Sequence, residues 1–148
     1  MKHFPGTVCA RLERFPLSIL QLAMRLGIAA VFFRSGLLKL SSWEFTVLLF
    51  RDEYQLPLIG PELAARLATA FELGIPPLLA LGLATRLATL PLLGMVAVIQ
   101  LLVYPNAWSE HLMWGSILLF LLTRGAGSFS IDHLIARRLF AGSRPRRA

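Results

Sequence analysis

The sequence predicts an all-α integral membrane four-helix bundle, with a short interfacial helix in the first outer loop and a C-terminal amphipathic helix. Three observations carry this expectation. Of 148 residues, 56% are hydrophobic and only 16% are charged, and the mean hydropathy is +0.66, more apolar than a soluble domain of this size needs. The apolar stretches run about 17 to 24 residues, near the ~20 that a helix needs to cross hydrocarbon. The basic residues crowd into the two ends, as Lys2, Arg11 and Arg14, then Arg137, Arg138, Arg144, Arg146 and Arg147. A net charge of +7 placed in this way reads as the positive-inside signal of a membrane protein, not as a nucleic-acid surface.

Residues 1–16 form a basic, polar tail. The first span is expected over 17–40. No small-residue cleavage site follows it, so it reads as a retained span and not as a signal peptide. Ser41-Ser42-Trp43-Glu44 has the spacing of a capping box, with Ser41 as the cap and Glu44 at the third position. The apolar segment 45–50 behind it is too short to span. With Arg51-Asp52-Glu53-Tyr54 it reads as an interfacial helix, Trp43 and Tyr54 lying at headgroup level.

Gly60-Pro61-Glu62 opens the second span, 62–84, with proline at the first helical position. A very short connection leads to the third span, 86–104, so the two form a tight hairpin. Pro105-Asn106 is a turn before the fourth span, 108–122. Gly125-Ala126-Gly127 ends that helix. Ser130 then caps a surface helix, 131–140, with Leu134, Ile135 and Leu139 on one side and Arg137 and Arg138 towards the other. The tail after Ala141 is expected to be disordered. The chain 1–148 thus reads as a single membrane domain. An even number of spans puts both basic termini on one side, the cytoplasmic one, and Arg86 in the hairpin agrees. The 41–61 loop and the Pro105 turn then face outward.

Glu72 is the most informative polar residue. It lies near the middle of an apolar stretch, 63–84, where a carboxylate costs at least ~2.5 kcal/mol. Pro76 and Pro77 follow one turn later. Proline donates no backbone hydrogen, so the carbonyls of Glu72 and Leu73 lose their helical partners. On the first span Arg25, Phe32, Gly36 and Lys39 share a face, while Arg34 points the opposite way. At ~1.5 Å per residue from the cytoplasmic end, Arg25 falls at ~12 Å, Glu72 at ~18 Å, Gln100 at ~21 Å and His111 at ~28 Å. Tyr104 lies one turn above Gln100. A polar column in the outer half of the bundle is therefore expected, lined by Lys39, Glu72, Gln100, Tyr104 and His111.

Each member has two readings. Glu72 either neutralises Arg25 in a structural ion pair or serves a ligand. Gln100 either bridges helices or contacts a ligand. Lys39 either snorkels or enters the column. His111 is either a solvated interfacial residue or a ligand contact. The ligand-binding candidates are Arg25, Lys39, Glu72, Gln100, Tyr104 and His111, and the catalytic candidates are Glu72 and His111. No metal site is expected: His111 and Met113, two residues apart, face different sides of a helix. The single cysteine, Cys9, permits no internal disulfide. No nucleophile–base pair or phosphate loop is visible.

The chain resembles the DoxX family, small four-helix proteins of bacterial inner membranes. The matching elements are Arg25, Gly36-Leu37-Leu38-Lys39, Glu72 and Gly82-Leu83-Ala84-Thr85-Arg86. Gly125-Ala126-Gly127-Ser128-Phe129-Ser130-Ile131-Asp132 is similar to the family's ending, with Ala126 in place of a proline. The family often has paired glycines after the glutamate, where this chain has Gly74-Ile75-Pro76-Pro77. The resemblance implies a subunit of an inner-membrane oxidoreductase or stress-response complex, with quinone as the implied cofactor. Its partners would be membrane lipid and other proteins or a second copy, not nucleic acid. Two alternatives stay open. One is a small dimeric transport protein for a thiol compound or metal ion, for which the proline-broken second span is the motivating feature. The other is a non-catalytic membrane anchor in which Glu72 and Arg25 form only an internal pair.

Overall fold

The computed structural model describes residues 13–141, and among these there is no strand. Helix α1 spans Leu17–Ser41 and α2 spans Trp43–Leu49. A π-helical turn, Phe50–Tyr54, continues α2. Helices α3 (Pro61–Leu81) and α4 (Thr85–Val98) follow, and a second π-helical turn, Ile99–Val103, extends α4. Helix α5 covers Trp108–Arg124 and α6 covers Ile131–Ala141. Lys2, Cys9, Arg11, Arg144, Arg146, Arg147 and the tail expected after Ala141 lie outside the described residues.

α1, α3 and the continuous stretch Thr85–Val103 are long and apolar enough to cross a membrane. α5, at 17 residues, is shorter than these. The four long helices form a ring in which α1 packs on α3 and α5, and α4 packs on the same two. One core, built on Ile28, Phe32, Leu79, Leu92, Leu118 and Leu121, joins all four. A smaller core at the other end sets Phe50 against Ala64 and Ala65, so the α2 segment lies over the start of α3.

Local sequence explains most boundaries. Pro61 occupies the first turn of α3 as expected. Gly82 ends that helix in the left-handed region at φ 68. Its N–H donates to the Leu79 carbonyl at 3.0 Å and that of Leu83 to the Leu78 carbonyl at 2.9 Å, the Schellman pattern that glycine permits. Ser130 caps α6 through its hydroxyl, which accepts from the His133 N–H at 3.2 Å.

Two expectations are corrected. The Ser41–Glu44 capping box does not form: Ser42 is the cap residue of α2 and makes no side-chain cap bond. The Ser41 hydroxyl instead donates to the Leu38 carbonyl at 2.9 Å, because α1 runs through Ser41. Nor is the second span broken: α3 continues through Pro76 and Pro77. The tertiary contacts of Pro76 and Leu79, both buried, hold the helix through its missing hydrogen bonds. The discontinuous-helix argument for transport loses its basis there.

The 125–132 stretch closes the end of the bundle that carries the 82–84 turn. The Asp132 carboxylate accepts from the N–H of Ala84 at 2.7 Å and of Thr85 at 3.0 Å. It thereby caps α4 from a distant part of the chain, where a negative charge also meets the positive helix end. The Asp132 N–H donates to the Gly82 carbonyl at 2.9 Å. Gln21 donates to the carbonyls of Arg124 and Gly125 at 3.3 and 3.2 Å. Asp132→Ala removes two charge-assisted bonds and should lower unfolding stability by about 2 kcal/mol. Thermal unfolding in detergent measures this, and an unchanged midpoint would show that Asp132 is dispensable to the hairpin.

Candidate functional site

α1 approaches α3 most closely at Gly36. A Cβ there would lie 2.9 Å from the Glu72 Cβ and from the Leu73 side chain, closer than any side chain permits. Glycine at this position lets the two helices meet, and the next turn of α1 then carries Lys39 up to Glu72. The Lys39 ammonium donates to Glu72 Oε1 at 2.9 Å and Oε2 at 2.8 Å, and to Ser35 Oγ at 2.8 Å. An ammonium has three donors, and all three are used. Glu72 is 3% exposed, so the pair is largely withdrawn from solvent. Thr46 donates to the Lys39 carbonyl at 3.0 Å, which ties α2 to the end of α1.

The pair forms part of the wall of a cavity of about 550 Å³ enclosed by the four long helices and the α2 segment. Most of the wall is apolar, including Phe32, Phe71, Met95 and Trp114. The polar exceptions include Ser35, Lys39, Glu72, Tyr54, Tyr104 and His111. This is the composition of small-molecule sites: apolar walls with a few placed polar groups.

His111 is buried and its Nδ1 lies 2.7 Å from Gln100 Oε1. The amide orientation of Gln100 is fixed because its Nε2 donates to the Pro105 carbonyl at 2.8 Å. Oε1 can only accept, so Nδ1 carries the hydrogen. The Nε2 of His111 is left as the free ring nitrogen, with no hydrogen-bond partner among the described residues. The ring packs near Trp114, with centroids 5.4 Å apart, and Trp114 meets Phe32 edge-on at 5.8 Å.

An aromatic ladder covers the end of the bundle away from the 82–84 turn. Phe50 meets Tyr54 at 4.7 Å and Tyr54 meets Tyr104 at 5.8 Å, both edge-on. The Tyr104 hydroxyl donates to the Glu53 carboxylate. This links the two π-helical turns, a form of helix often found at functional sites. The bond to the Glu53 carboxylate, followed by burial, raises the Tyr104 hydroxyl above the ordinary tyrosine range. Burial raises Tyr54 in the same direction.

Four of the expected residues therefore line one cavity: Lys39, Glu72, Tyr104 and His111. Gln100 stands behind His111 as its orienting partner. Arg25 does not join them. Its guanidinium sits at the end that carries the 82–84 turn, where it donates to the Phe129 carbonyl and lies against Gly82, whose added Cβ would fall 1.9 Å from Nη1. The possible Arg25–Glu72 pair is thus replaced by Lys39–Glu72. The depth count sets Arg25 ~6 Å from Glu72 and so points to the pair that does not form; the close approach at Gly36 brings Lys39 there instead. Arg34 points outward, as expected, and is exposed. Sequence reading missed Ser35, Tyr54, Glu53 and Trp114 as site residues. For Ser35 a signal existed, since a residue four before Lys39 shares its helix face.

An all-helical membrane protein that encloses an apolar cavity with an ion pair in its wall is the class these features define. The chain belongs to the DoxX family, whose profile matches residues 20–105. Arg25, Lys39, Glu72, Gln100 and Tyr104 fall within the match, and His111 and the 125–132 stretch lie beyond it. No curated protein and no solved structure matches the chain.

Lys39→Met leaves a buried carboxylate unpaired and should cost about 3–5 kcal/mol. The double variant Lys39→Met, Glu72→Leu should recover most of that loss in denaturant unfolding; no recovery would mean that the pair is not the source of the effect. The chain has two tyrosines, so phenolate absorbance reports on Tyr54 and Tyr104 alone. Both hydroxyls should stay protonated above the ordinary value of about 10. Since raised values favour the protonated folded state, stability should fall as pH climbs past that point. Ionisation of both at the ordinary value would contradict the buried ladder.

Proposed function

We propose that this protein is a quinone-binding membrane subunit of an oxidoreductase or stress-response complex in the bacterial inner membrane, and that the cavity between its four long helices is the binding site. In this reading it crosses the membrane four times, with both termini in the cytoplasm. Arg86, Arg124, Arg137 and Arg138 support that orientation, as they lie in the hairpin, the last turn of α5 and α6.

The cavity wall is the observation that carries the proposal. A quinone headgroup is a flat apolar ring with an oxygen at each end. The cavity offers aromatic and aliphatic walls for the ring, with two kinds of polar group. Ser35 accepts from Lys39 and lies beside the Glu72 carboxylate, so its hydroxyl proton can turn from that carboxylate to a carbonyl oxygen of the head. His111 presents a free Nε2, which accepts from a hydroxyl. The donor set therefore fits both the carbonyl and the hydroxyl form of such a head.

A bound quinone supplies two-electron, two-proton redox chemistry. The chain's residues bind and orient the head, and His111 takes up or releases a proton at Nε2 while Gln100 holds the ring. Lys39 steadies negative charge near the headgroup, and Glu72 is the second proton carrier. Water is excluded by the aromatic ladder. With a single cysteine the chain forms no internal dithiol pair, so electrons pass to or from a partner protein in the complex.

A short-tailed quinone titrated into the purified protein in lipid nanodiscs tests this. In a Trp43→Phe, Trp108→Phe background, fluorescence comes from Trp114 in the cavity wall. Saturable quenching is expected. Ser35→Ala or His111→Leu should each weaken binding by roughly fivefold to tenfold, the loss of one hydrogen bond of about 1 kcal/mol. Quenching that never saturates, or that ignores both substitutions, would remove the proposal.

A further inference from the structure

The geometry points to a lateral entrance: we infer that the cavity is loaded from the bilayer through a slot between α3 and α4, and that its ligand is a lipid-phase molecule whose apolar tail stays in that slot. The inference deepens the quinone reading and rests on it for the identity of the head.

Helices α3 and α4 are joined at the inner end by the short Gly82–Ala84 turn, and Asp132 fastens them there. The core they share also lies on the inner side, through Leu79, Ala88 and Leu92. Further out they part company. The outer half of α3 packs its Ala64 and Ala65 against Phe50 of the α2 segment, not against α4. The two helices are thus held together at one end only.

The edge residues mark the gap. Leu67 and Phe71 on α3, and Gly94 and Val98 on α4, all line the cavity, and all four are also exposed. At ~1.5 Å per residue from the hairpin, Phe71 and Gly94 fall at ~14–15 Å, and Leu67 and Val98 at ~20–21 Å. They form two facing rungs at neighbouring depths, well within ~30 Å of hydrocarbon. Gly94 contributes no side chain, and a Cβ there would meet nothing within 4 Å. The lower rung is therefore open on the α4 side.

The outer end, where Ile59, Tyr104 and Glu110 also line the cavity and are exposed, is a polar and partly covered opening. Phe50, Tyr54 and Tyr104 stack across it, and the Tyr104–Glu53 bond ties the two π-helical turns together. The edges of the slot, by contrast, are apolar. A molecule crossing them needs no hydration, and one with a long hydrocarbon tail need not withdraw it from the bilayer. Glu72 is adjacent in sequence to Phe71, so a head passing the slot arrives at the Ser35–Lys39–Glu72 group.

The test uses the full chain in nanodiscs without quinone, so it is separate from the binding experiment. Trp114 is again the only tryptophan, and the probe is a bromoalkane dissolved in the lipid. Quenching of Trp114 is expected, because the probe enters through the slot. Gly94→Phe fills open space and should reduce that quenching several-fold. Val98→Ala widens the upper rung and should increase it. Gly74→Phe is the control: Gly74 is exposed, meets nothing within 4 Å and does not line the cavity, so quenching should not change. Equal quenching in the wild-type background and Gly94→Phe would overturn the slot. So would stronger quenching of Trp114 by water-soluble acrylamide that Tyr104→Phe further increases. A slot that responds as expected while quinone fails to bind would leave lateral access standing and remove only the quinone reading.

Discussion

A carboxylate buried among apolar helices must be paired, and in this protein Glu72 meets that requirement through Lys39. The pairing depends on Gly36, whose missing side chain lets α1 and α3 touch. Ser35, Lys39 and Glu72 then satisfy one another within a single turn of α1. A saturated ammonium does not need to seek water, so the ends of α1 and α3 can be covered by the α2 segment. The same arrangement sets the satisfied pair into the wall of the cavity, whose remaining lining is mostly apolar. Both stability and candidate chemistry therefore trace back to one close contact.

The bundle is built differently at its two ends. The end that carries the 82–84 turn is fastened by side chains that bond to backbone: Asp132 to the start of α4, Gln21 to the end of α5, and Arg25 to the Phe129 carbonyl. These bonds hold chain ends that would otherwise carry unpaired polar groups. The opposite end is covered by aromatic contacts and by π-helical turns with fewer such anchors. Arg25 belongs to the fastened end, which explains its full burial at a distance from the cavity.

The proline pair in α3 illustrates why local rules have limited reach. Pro76 and Pro77 each remove a helical hydrogen bond, which in isolation favours a kink or break. Here Pro76 and Leu79 are buried in the bundle, and packing keeps the helix continuous. The Ser41–Glu44 motif fails for a related reason. Its spacing is right for a cap, but α1 extends through Ser41 and moves the helix start to the next residue. The π-helical turns left no sequence signal, since they depend on how the loop and α4 are fitted over the cavity.

By itself the sequence determined the all-helical membrane class, the placement of the helices to within a few residues, the tight hairpin between the second and third spans and the helix face that Lys39 shares with Arg25. These follow from hydrophobic length, helical periodicity, and the positions of proline and glycine, all local properties of the chain. It also brought Lys39, Glu72, Tyr104 and His111 to one half of the bundle, because depth along a helix can be counted. What only the tertiary structure decided is which charges meet. Arg25 and Lys39 lie on the same face of α1, and counting depth points to Arg25 as the partner of Glu72. The choice falls to Lys39 because α1 and α3 touch at Gly36, and contact across helices is not encoded in the spacing along either one.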